Sequence, residues 1–295
     1  MLRLMIAGLL VAAGGSGSVT ASIPIGSQAC GMTALGSFMY ADSYARGTVS
    51  RVDPATNRVV RTVRVGGSLC GMAAGGGALW IEDYGGRIVR VDAKTLKVTN
   101  RIAVGVQPFD VAYGGGAVWA ANSDGTVSRI DPRTRKVVKT IKAAGTLGCV
   151  RTGTGGVWVG QYGGGDVYRI DPATNAAQTV HVGHSSELCV DPQPDGIWVA
   201  DNLDDSVTVL DPSTYAVVAT VPVPTRPTDL WRGPDGMEWV TGRIAGSVSR
   251  IDPATHKVVD TIATGGQPFV IRSGFGDVWT ADFGGTKLIR LHASS

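Results

Sequence analysis

Short hydrophobic runs alternate with glycine-rich or Asp-Pro turns along almost the whole chain, and the alternation repeats. The segment RVDPATNRVV (51–60) recurs as RVDAKTLKVT (90–99), RIDPRTRKVV (129–138), RIDPATNAAQ (169–178), VLDPSTYAVV (209–218) and RIDPATHKVV (250–259). The Asp residues of successive segments are 39, 39, 40, 40 and 41 residues apart. A period of this length indicates a repeated supersecondary unit.

A series of aromatic residues has the same period and shows how many units there are. Its members are Tyr40, Trp80, Trp119, Trp158, Trp198, Trp239 and Trp279. Each unit is rich in Val, Ile and Thr and poor in helix-forming runs, which is typical of β-strands. Seven such units predict an all-β, seven-bladed β-propeller of four-stranded antiparallel blades. We expect the central aromatic residue of each unit to pack between blades and have no other role.

The strands within a unit can be assigned from the third one, where PFDVAYG, AVWAANS, TVSRID and KVVKTIK are strands A, B, C and D. The units begin near residues 28, 68, 107, 146, 186, 226 and 267. The seventh unit has no sequence for strand D, whereas residues 21–26 align with strand D of the first unit. We therefore predict one domain over residues 22–295, with an N-terminal strand that completes the last blade and closes the ring.

The first 21 residues are typical of a signal peptide. Arg3 precedes an apolar run over residues 4–13, and small residues follow up to Ala21. The run is too short to cross a bilayer, so we expect export to the periplasm or the medium and no membrane contact after cleavage. The alternative is that this run forms a buried N-terminal strand.

Composition and charge narrow the range of partners. The net charge is +3, and the Lys and Arg residues appear spread along the chain, so nucleic acid is not expected. Many of them fall on strand D, the outermost of each blade, where charge discourages association through sheet edges. A monomer is expected.

The four cysteines occupy matching positions in the repeat. Cys30 and Cys70 both lie ten residues before the aromatic residue of their unit, and Cys149 and Cys189 both lie nine residues before it. All four therefore begin a strand A in neighbouring blades, and export favours oxidation. We predict disulfides Cys30–Cys70 and Cys149–Cys189. Free buried thiols are the alternative, and a four-cysteine metal site is disfavoured because the pairs lie on different sides of the ring.

The loops that join strand D to A and strand B to C lie on one face of the propeller, around the mouth of its channel. They are more variable than the turns on the other face, and binding residues favour variable loops on a rigid scaffold. Their acids, amides and aromatic residues would suit a polar or cationic small ligand, or a divalent ion held by oxygen atoms. The alternative is that they are ordinary solvated turn residues. The ligand-binding candidates are Phe109, Asp110, Asp229, Phe269, Asp83, Tyr84, Tyr162, Asp201 and Asp282.

Asp110 and Asp229 are the most specific of these candidates. Both precede an apolar residue of strand A, in QPFDV and RPTDL, and should point toward the channel. The alternative role is a hydrogen bond to the backbone of the neighbouring blade, because a buried carboxylate needs such partners.

The repeat resembles that of the YVTN-type seven-bladed propellers and the wider group that includes the streptogramin (virginiamycin B) lyases. The resemblance rests on the RIDPxT turn, the VW step and the segment GPDGMEWVTG (233–242). It implies a propeller fold and, for the lyases, a histidine base with glutamates that help to hold magnesium. No D–A loop of this chain has that histidine in the expected position, and Glu never stands three residues after the Trp. The catalytic set of the lyases therefore cannot be transferred.

Two functions follow as hypotheses. The first is an exported binding or scaffold propeller whose channel mouth holds a small polar molecule or a protein, with no certain cofactor. The second is a magnesium-assisted lyase, or a hydrolase, with its site at the same mouth. Catalytic residues for the second are unknown, and the loop candidates for a base are His184 and Glu187.

Overall fold

The computed structural model of the chain describes residues 17–183 and 185–292, apart from the side chain of Glu187. These residues form strands and turns and no α-helix. The strands build seven antiparallel blades, and the first strand of each blade contacts that of the next, from β2 and β6 through to β26 and back to β2. The predicted seven-bladed, all-β propeller is confirmed.

The strands of the first half of the ring, with the N-terminal strand, are β1 (Ser18–Pro24), β2 (Ala29–Leu35), β3 (Phe38–Ser43), β4 (Thr48–Asp53), β5 (Arg58–Arg64), β6 (Leu69–Gly75), β7 (Ala78–Asp83), β8 (Arg87–Asp92), β9 (Val98–Ala103), β10 (Pro108–Gly114), β11 (Ala117–Asn122), β12 (Thr126–Asp131) and β13 (Lys136–Lys142). Blades 1, 2 and 3 are β2–β5, β6–β9 and β10–β13, each running from strand A at the channel to strand D outside.

The strands of the second half are β14 (Thr146–Gly153), β15 (Gly156–Tyr162), β16 (Asp166–Ile170), β17 (Ala177–His181), β18 (Glu187–Gln193), β19 (Gly196–Asp201), β20 (Ser206–Leu210), β21 (Val217–Pro222), β22 (Pro227–Arg232), β23 (Glu238–Gly242), β24 (Ser247–Asp252), β25 (Lys257–Ala263), β26 (Pro268–Gly274), β27 (Asp277–Asp282) and β28 (Lys287–His292). Blades 4 and 5 are β14–β17 and β18–β21, and one backbone pair between β15 and β18 links them. Blade 6 is β22–β25.

Blade 7 consists of β26, β27, β28 and β1, so the N-terminal strand closes the ring as predicted. β1 pairs antiparallel with β28, and Ile23 and Ile25 are buried against the blade. β1 begins at Ser18, before the expected end of the leader at residue 21. Residues 1–16, which hold the rest of the predicted leader, lie outside the described residues.

The repeated aromatic residues form the core between blades. All six tryptophans of the series and Tyr40 are at most 2% exposed. Arginines of strand C cover several of these rings, as Arg129 does at 5.0 Å from the Trp119 centroid. Its guanidinium also donates to the Pro172 carbonyl in the next blade, so the same side chain links two blades. The predicted core role of this series is confirmed.

The Asp residues of the C–D turns accept backbone N–H groups, as their sequence position predicts. The Asp131 carboxylate accepts from the Arg133 amide at 2.7 Å. Such contacts hold the turn that follows strand C. These turns lie on the face opposite the channel mouth and form a regular scaffold.

Both predicted disulfides are present. Cys30–Cys70 joins strand A of blade 1 to that of blade 2, and Cys149–Cys189 joins blades 4 and 5, with Cα–Cα distances of 4.7 and 4.8 Å. Two such bridges indicate an oxidising, extracytoplasmic environment. Within the described part of the chain there is no helix long and apolar enough to cross a bilayer.

Every strand A has an irregular register near its first residues, between Ala29 and Met32 in blade 1 and at the corresponding places in the other six blades. A bulge redirects the side chains beside it. Here it occurs where the strands enter the channel, next to the mouth.

Candidate functional site

An open cavity of about 770 Å³ occupies the channel mouth on the face built by the D–A and B–C loops. All seven blades contribute to it, so its shape depends on closure of the ring. The lining residues are Tyr44, Cys70, Tyr84, Phe109, Thr146, Tyr162, Leu188, Asn202, Thr225, Arg226, Thr228, Arg243, Ile244, Phe269 and Phe283.

Four rings of this lining form a continuous aromatic arc, which consists of Tyr84, Tyr44, Phe283 and Phe269. The ring centroids of Tyr44 lie 5.6 Å from Tyr84 and 5.9 Å from Phe283. Phe283 in turn lies 5.3 Å from Phe269. These distances are typical of stabilising ring pairs, so the arc is a preformed apolar wall.

Two arginines share this lining, and one of them packs directly on the arc. The Arg243 guanidinium lies 5.3 Å from the Phe269 centroid and 5.1 Å from that of Phe283. Burial and the neighbouring charge of Arg226 lower the pKa of Arg243, but a guanidinium stays protonated in proteins. Arg226 donates weakly to the Asn202 side chain at 3.4 Å. Among the described residues neither arginine forms an ion pair with a carboxylate.

The candidate acids of the B–C loops do not line this cavity. Each is buried and engaged near its own loop. Asp83 accepts from the Gly85 amide, Asp201 from the hydroxyls of Ser206 and Thr208, and Asp282 from the Gln267 amide. They hold the loops that carry the aromatic residues, and they are buried, unlike the solvated turn residues of the alternative.

Asp110 and Asp229 lie deeper in the channel, below the mouth, and are paired with Arg151. The Arg151 guanidinium donates to both carboxylates, at 3.0 Å to Asp229 Oδ1. Asp110 also accepts from the Val150 amide of blade 4 at 3.1 Å. The hydrogen bond to the backbone of a neighbouring blade, which the sequence left open as an alternative, is therefore present.

Asp229 makes the same kind of contact with the next blade. Its Oδ2 accepts from the Ile271 amide at 3.1 Å and from Arg272 Nη1 at 2.5 Å. Opposite charges in this network raise the pKa of Arg151, because they favour its charged form. The two candidate acids thus join blades 3, 4, 6 and 7 across the channel axis.

On the other side of the channel, blades 1 and 2 bury two carboxyl groups with few partners. Asp42 accepts from the Gly31 amide at 2.8 Å, but its Oδ2 and both oxygens of Glu82 have no hydrogen-bond partner. Burial raises the pKa of Asp42 to about 8 and holds the pKa of Glu82 well above its usual range. Burial therefore favours the protonated form of both groups more strongly than it is favoured in an exposed carboxyl group.

Comparison with known proteins adds a fold relationship to this geometry. The chain is similar in fold to a streptogramin B lyase. That solved structure covers 92% of this chain and 97% of its own, with a TM-score of 0.81 at 14% sequence identity. At this identity the likeness shows the fold alone. A domain of unknown function, DUF5074, matches residues 85–189, and no curated protein matches.

The cavity lining does not fit the magnesium ion that the lyase resemblance implies. Mg²⁺ takes oxygen ligands, usually with one or two carboxylates, and the lining residues include none within the described part of the chain, from which the side chain of Glu187 is missing. In the described part of the chain, one group of three potential ligand atoms lies within 4.8 Å, from Cys149, Cys189 and Asp229. Its two sulfur atoms are joined in a disulfide, so they are not free thiolates.

The candidate bases cannot be placed in the same way. His184 lies outside the described residues, and the side chain of Glu187 is not described. The backbone of Glu187 pairs with Asp201 and Gln161 at the start of β18, close to the mouth. A catalytic role for either residue stays a prediction.

The structure brings together the aromatic candidates and separates them from the acidic ones. Phe109, Tyr84, Tyr162 and Phe269 line the cavity as predicted. Tyr44 and Phe283 complete the arc, although their loop positions were the only signal for them in the sequence. Their ligand-binding role, like that of the acids, stays a prediction.

The repeat distinguishes the buried acids Asp42 and Glu82 more clearly than it distinguishes Tyr44 and Phe283. The position two residues after the aromatic residue is Ala, Gly or Thr in the other five units. In units 1 and 2 this position is acidic. Strand A of these two units has Gly31 and Gly71 at the position where strand A of unit 3 has Asp110. A side chain on Gly71 would lie 2.8 Å from Glu82 Cγ, so the glycine makes room for the acid.

Proposed function

We propose that this protein is an exported binding module whose channel mouth holds a small organic anion with a planar apolar body. The observation that carries this proposal is the composition of the cavity: an aromatic arc, two arginines, and no carboxylate among the lining residues that the structure describes. A protein that inserts an anionic aromatic group into the mouth would use the same chemistry.

The size and rigidity of the cavity support small-molecule binding. Its volume of about 770 Å³ is within the usual ~300–1,000 Å³ range of ligand sites. The rings of the arc already pack against one another and are held by strands of a closed ring. A planar ligand that stacks on them would lose little energy to rearrangement of the protein.

The charge at the mouth selects an anion over a cation. The guanidinium groups of Arg226 and Arg243 have no carboxylate partner among the described residues, although the Arg226 amide donates to Asp205 Oδ1 at 2.8 Å. Partial burial strengthens the field of Arg243 at the cavity. A guanidinium also presents a planar fork of donors that fits a carboxylate or sulfonate. This differs from the polar or cationic ligand expected from the loop sequences, because the acids of those loops turn away from the cavity.

The test compares three ligands with the same body and different charge: 1-naphthoate, 1-naphthylmethylamine and 1-naphthalenemethanol. We expect the anion to bind most tightly by isothermal titration calorimetry. Arg243→Met keeps an apolar stem against Phe283 and removes the charge. Because a charged hydrogen bond is worth ~1.5–3 kcal/mol, we expect this variant to bind 1-naphthoate roughly tenfold to a hundredfold more weakly. Lys257→Met, on the outer strand β25, is the control. Equal affinity for all three ligands would refute the proposal.

The second candidate function, a lyase, is favoured only by the shared fold. Its test is chromatographic loss of a streptogramin B incubated with the protein and magnesium. Turnover that disappears in a Glu187→Gln variant would favour the lyase over a binding module. Binding of 1-naphthoate without turnover would favour the first proposal.

A further inference from the structure

The net charge of +3 conceals an uneven distribution around the ring. Residues 42–142 contain 16 Lys and Arg against 8 Asp and Glu, whereas residues 143–295 contain 10 against 16. Blades 1–3 are therefore strongly basic and blades 4–7 acidic. This corrects the interpretation that the basic residues are spread along the chain.

The excess is concentrated on the outer strands of the basic blades, β5, β9 and β13. β5 carries Arg58, Arg61 and Arg64, and β13 carries Lys136, Lys139 and Lys142 at the same positions of the repeat. All six side chains are exposed. β9 adds Arg101, which is also exposed. We call the basic residues of these three strands the basic wall.

Protection of the sheet edges does not explain the basic wall. The outer strands of blades 4, 5 and 7, which are β17, β21 and β1, contain no Lys or Arg. The outer strand of blade 6 has one Lys and one Asp, which cancel. If edge protection required these charges, all seven outer strands would need them. Only the outer strands of three consecutive blades combine basic residues with no acidic residue on the same strand.

The curvature of the basic wall indicates a flexible linear partner. Seven blades divide the circle into steps of about 51°, so β5 and β13 face directions about 100° apart. A flat bilayer that touches one of them cannot touch the other. A polymer can follow the curve from blade to blade, and the Cα atoms of basic residues three apart on one strand are ~10 Å apart.

The chemistry of the basic wall favours an acidic polysaccharide over a single-stranded nucleic acid. Proteins that bind single strands combine positive charge with aromatic side chains on which bases stack, and β5, β9 and β13 contain no aromatic residue. The two disulfides also place the chain in an extracytoplasmic environment, where acidic polysaccharides occur. We infer that the basic wall binds a linear acidic polysaccharide.

The experiment measures binding to polygalacturonate, with neutral dextran, oligo(dT) and vesicles containing phosphatidylglycerol as the other probes. We expect the polygalacturonate affinity of the full chain to fall linearly with salt on a log–log scale from about 50 mM upward. Lys136→Ser/Lys139→Ser should weaken it about fivefold to tenfold and reduce the salt slope by about one to two.

The matched control is Lys257→Ser/Lys287→Ser, which removes the same charge from exposed positions in blades 6 and 7. It should retain wild-type affinity, and equal weakening by both double variants would show that only net charge matters and overturn the inference. Tighter binding of oligo(dT) or of vesicles than of polygalacturonate would overturn it too. Arg243→Met should leave polygalacturonate binding unchanged, which separates this surface from the channel mouth.

Discussion

Replacing Glu82 by Met should stabilise the protein, although Glu82 is fully buried in the channel. Neither carboxyl oxygen forms a hydrogen bond of good geometry, although the Cys70 amide interacts with the carboxylate. Burial, followed by the charges of Asp42 and Asp110, raises the pKa of Glu82 well above its usual range. An unpaired polar group in such a site costs ~1–3 kcal/mol. Met has a similar length and no strong polar atom, and it adapts to irregular space. We therefore expect the free energy of unfolding at pH 7 to rise by about 1–3 kcal/mol.

The same variant should change the pH dependence of stability. The folded-state pKa of Glu82 lies above its reference value of 4.5, so between these two values the folded chain holds a proton that the unfolded chain has lost. Stability from this group is fully present below pH 4.5 and is lost as the pH rises toward the folded pKa. One proton corresponds to about 1.4 kcal/mol per pH unit. The advantage of the variant should therefore grow by up to that amount per unit from pH 5.5 to 7.5.

The assay is urea unfolding followed by tryptophan fluorescence at pH 5.5, 6.5 and 7.5, with disulfides intact. Glu238→Met is the matched control, because Glu238 is equally buried but accepts from Arg232 Nε at 3.0 Å. Removing it breaks this buried ion pair and leaves the Arg232 guanidinium with Asp195 as its only carboxylate partner among the described residues, which should destabilise the fold. The reasoning fails if Glu82→Met loses more than about 1 kcal/mol at pH 7, or if its pH slope equals that of the wild type.

Three further outcomes are expected. Arg151→Met should cost about 3–5 kcal/mol in urea unfolding, because it leaves Asp110 and Asp229 buried without their shared cation; a loss below about 1 kcal/mol would contradict this. Cys30→Ser/Cys70→Ser should cost about 3–4 kcal/mol by the same method, since the bridge closes a loop spanning 40 residues, and alkylation of the wild type without reductant should label no thiol. Millimolar magnesium should leave the melting temperature unchanged, and a rise that saturates with magnesium would support the lyase instead.

The fold could be predicted from the repeat because the four strands of a blade can be assigned within each unit. The Asp of each C–D turn and the aromatic residue of each strand B occur about forty residues apart, and both take the predicted turn and core roles. The two disulfides were predictable for the same reason, since equal register in adjacent blades brings Cys30 close to Cys70. These features depend on local spacing and on contacts between neighbouring units.

The chemistry of the channel mouth depends on contacts that local spacing does not describe. Asp83 and Arg243 occupy corresponding loops, and both are polar residues that follow strand B. Only the folded backbone shows that Asp83 turns back to its own loop, whereas Arg243 lies over the aromatic rings of blade 7.

The sequence by itself therefore determined the number of blades, the closure of the ring and the pairing of the cysteines, because periodic hydrophobic burial and register are short-range properties. Tertiary structure decided which side chains meet at the axis. Arg151 joins Asp110 and Asp229, which lie 41 and 78 positions away from it in the sequence. The aromatic arc joins the first two blades to the last. Such meetings follow from closing the ring, which brings distant units to one point, pairs Asp110 and Asp229 with Arg151 inside the channel and leaves Arg243 at the mouth.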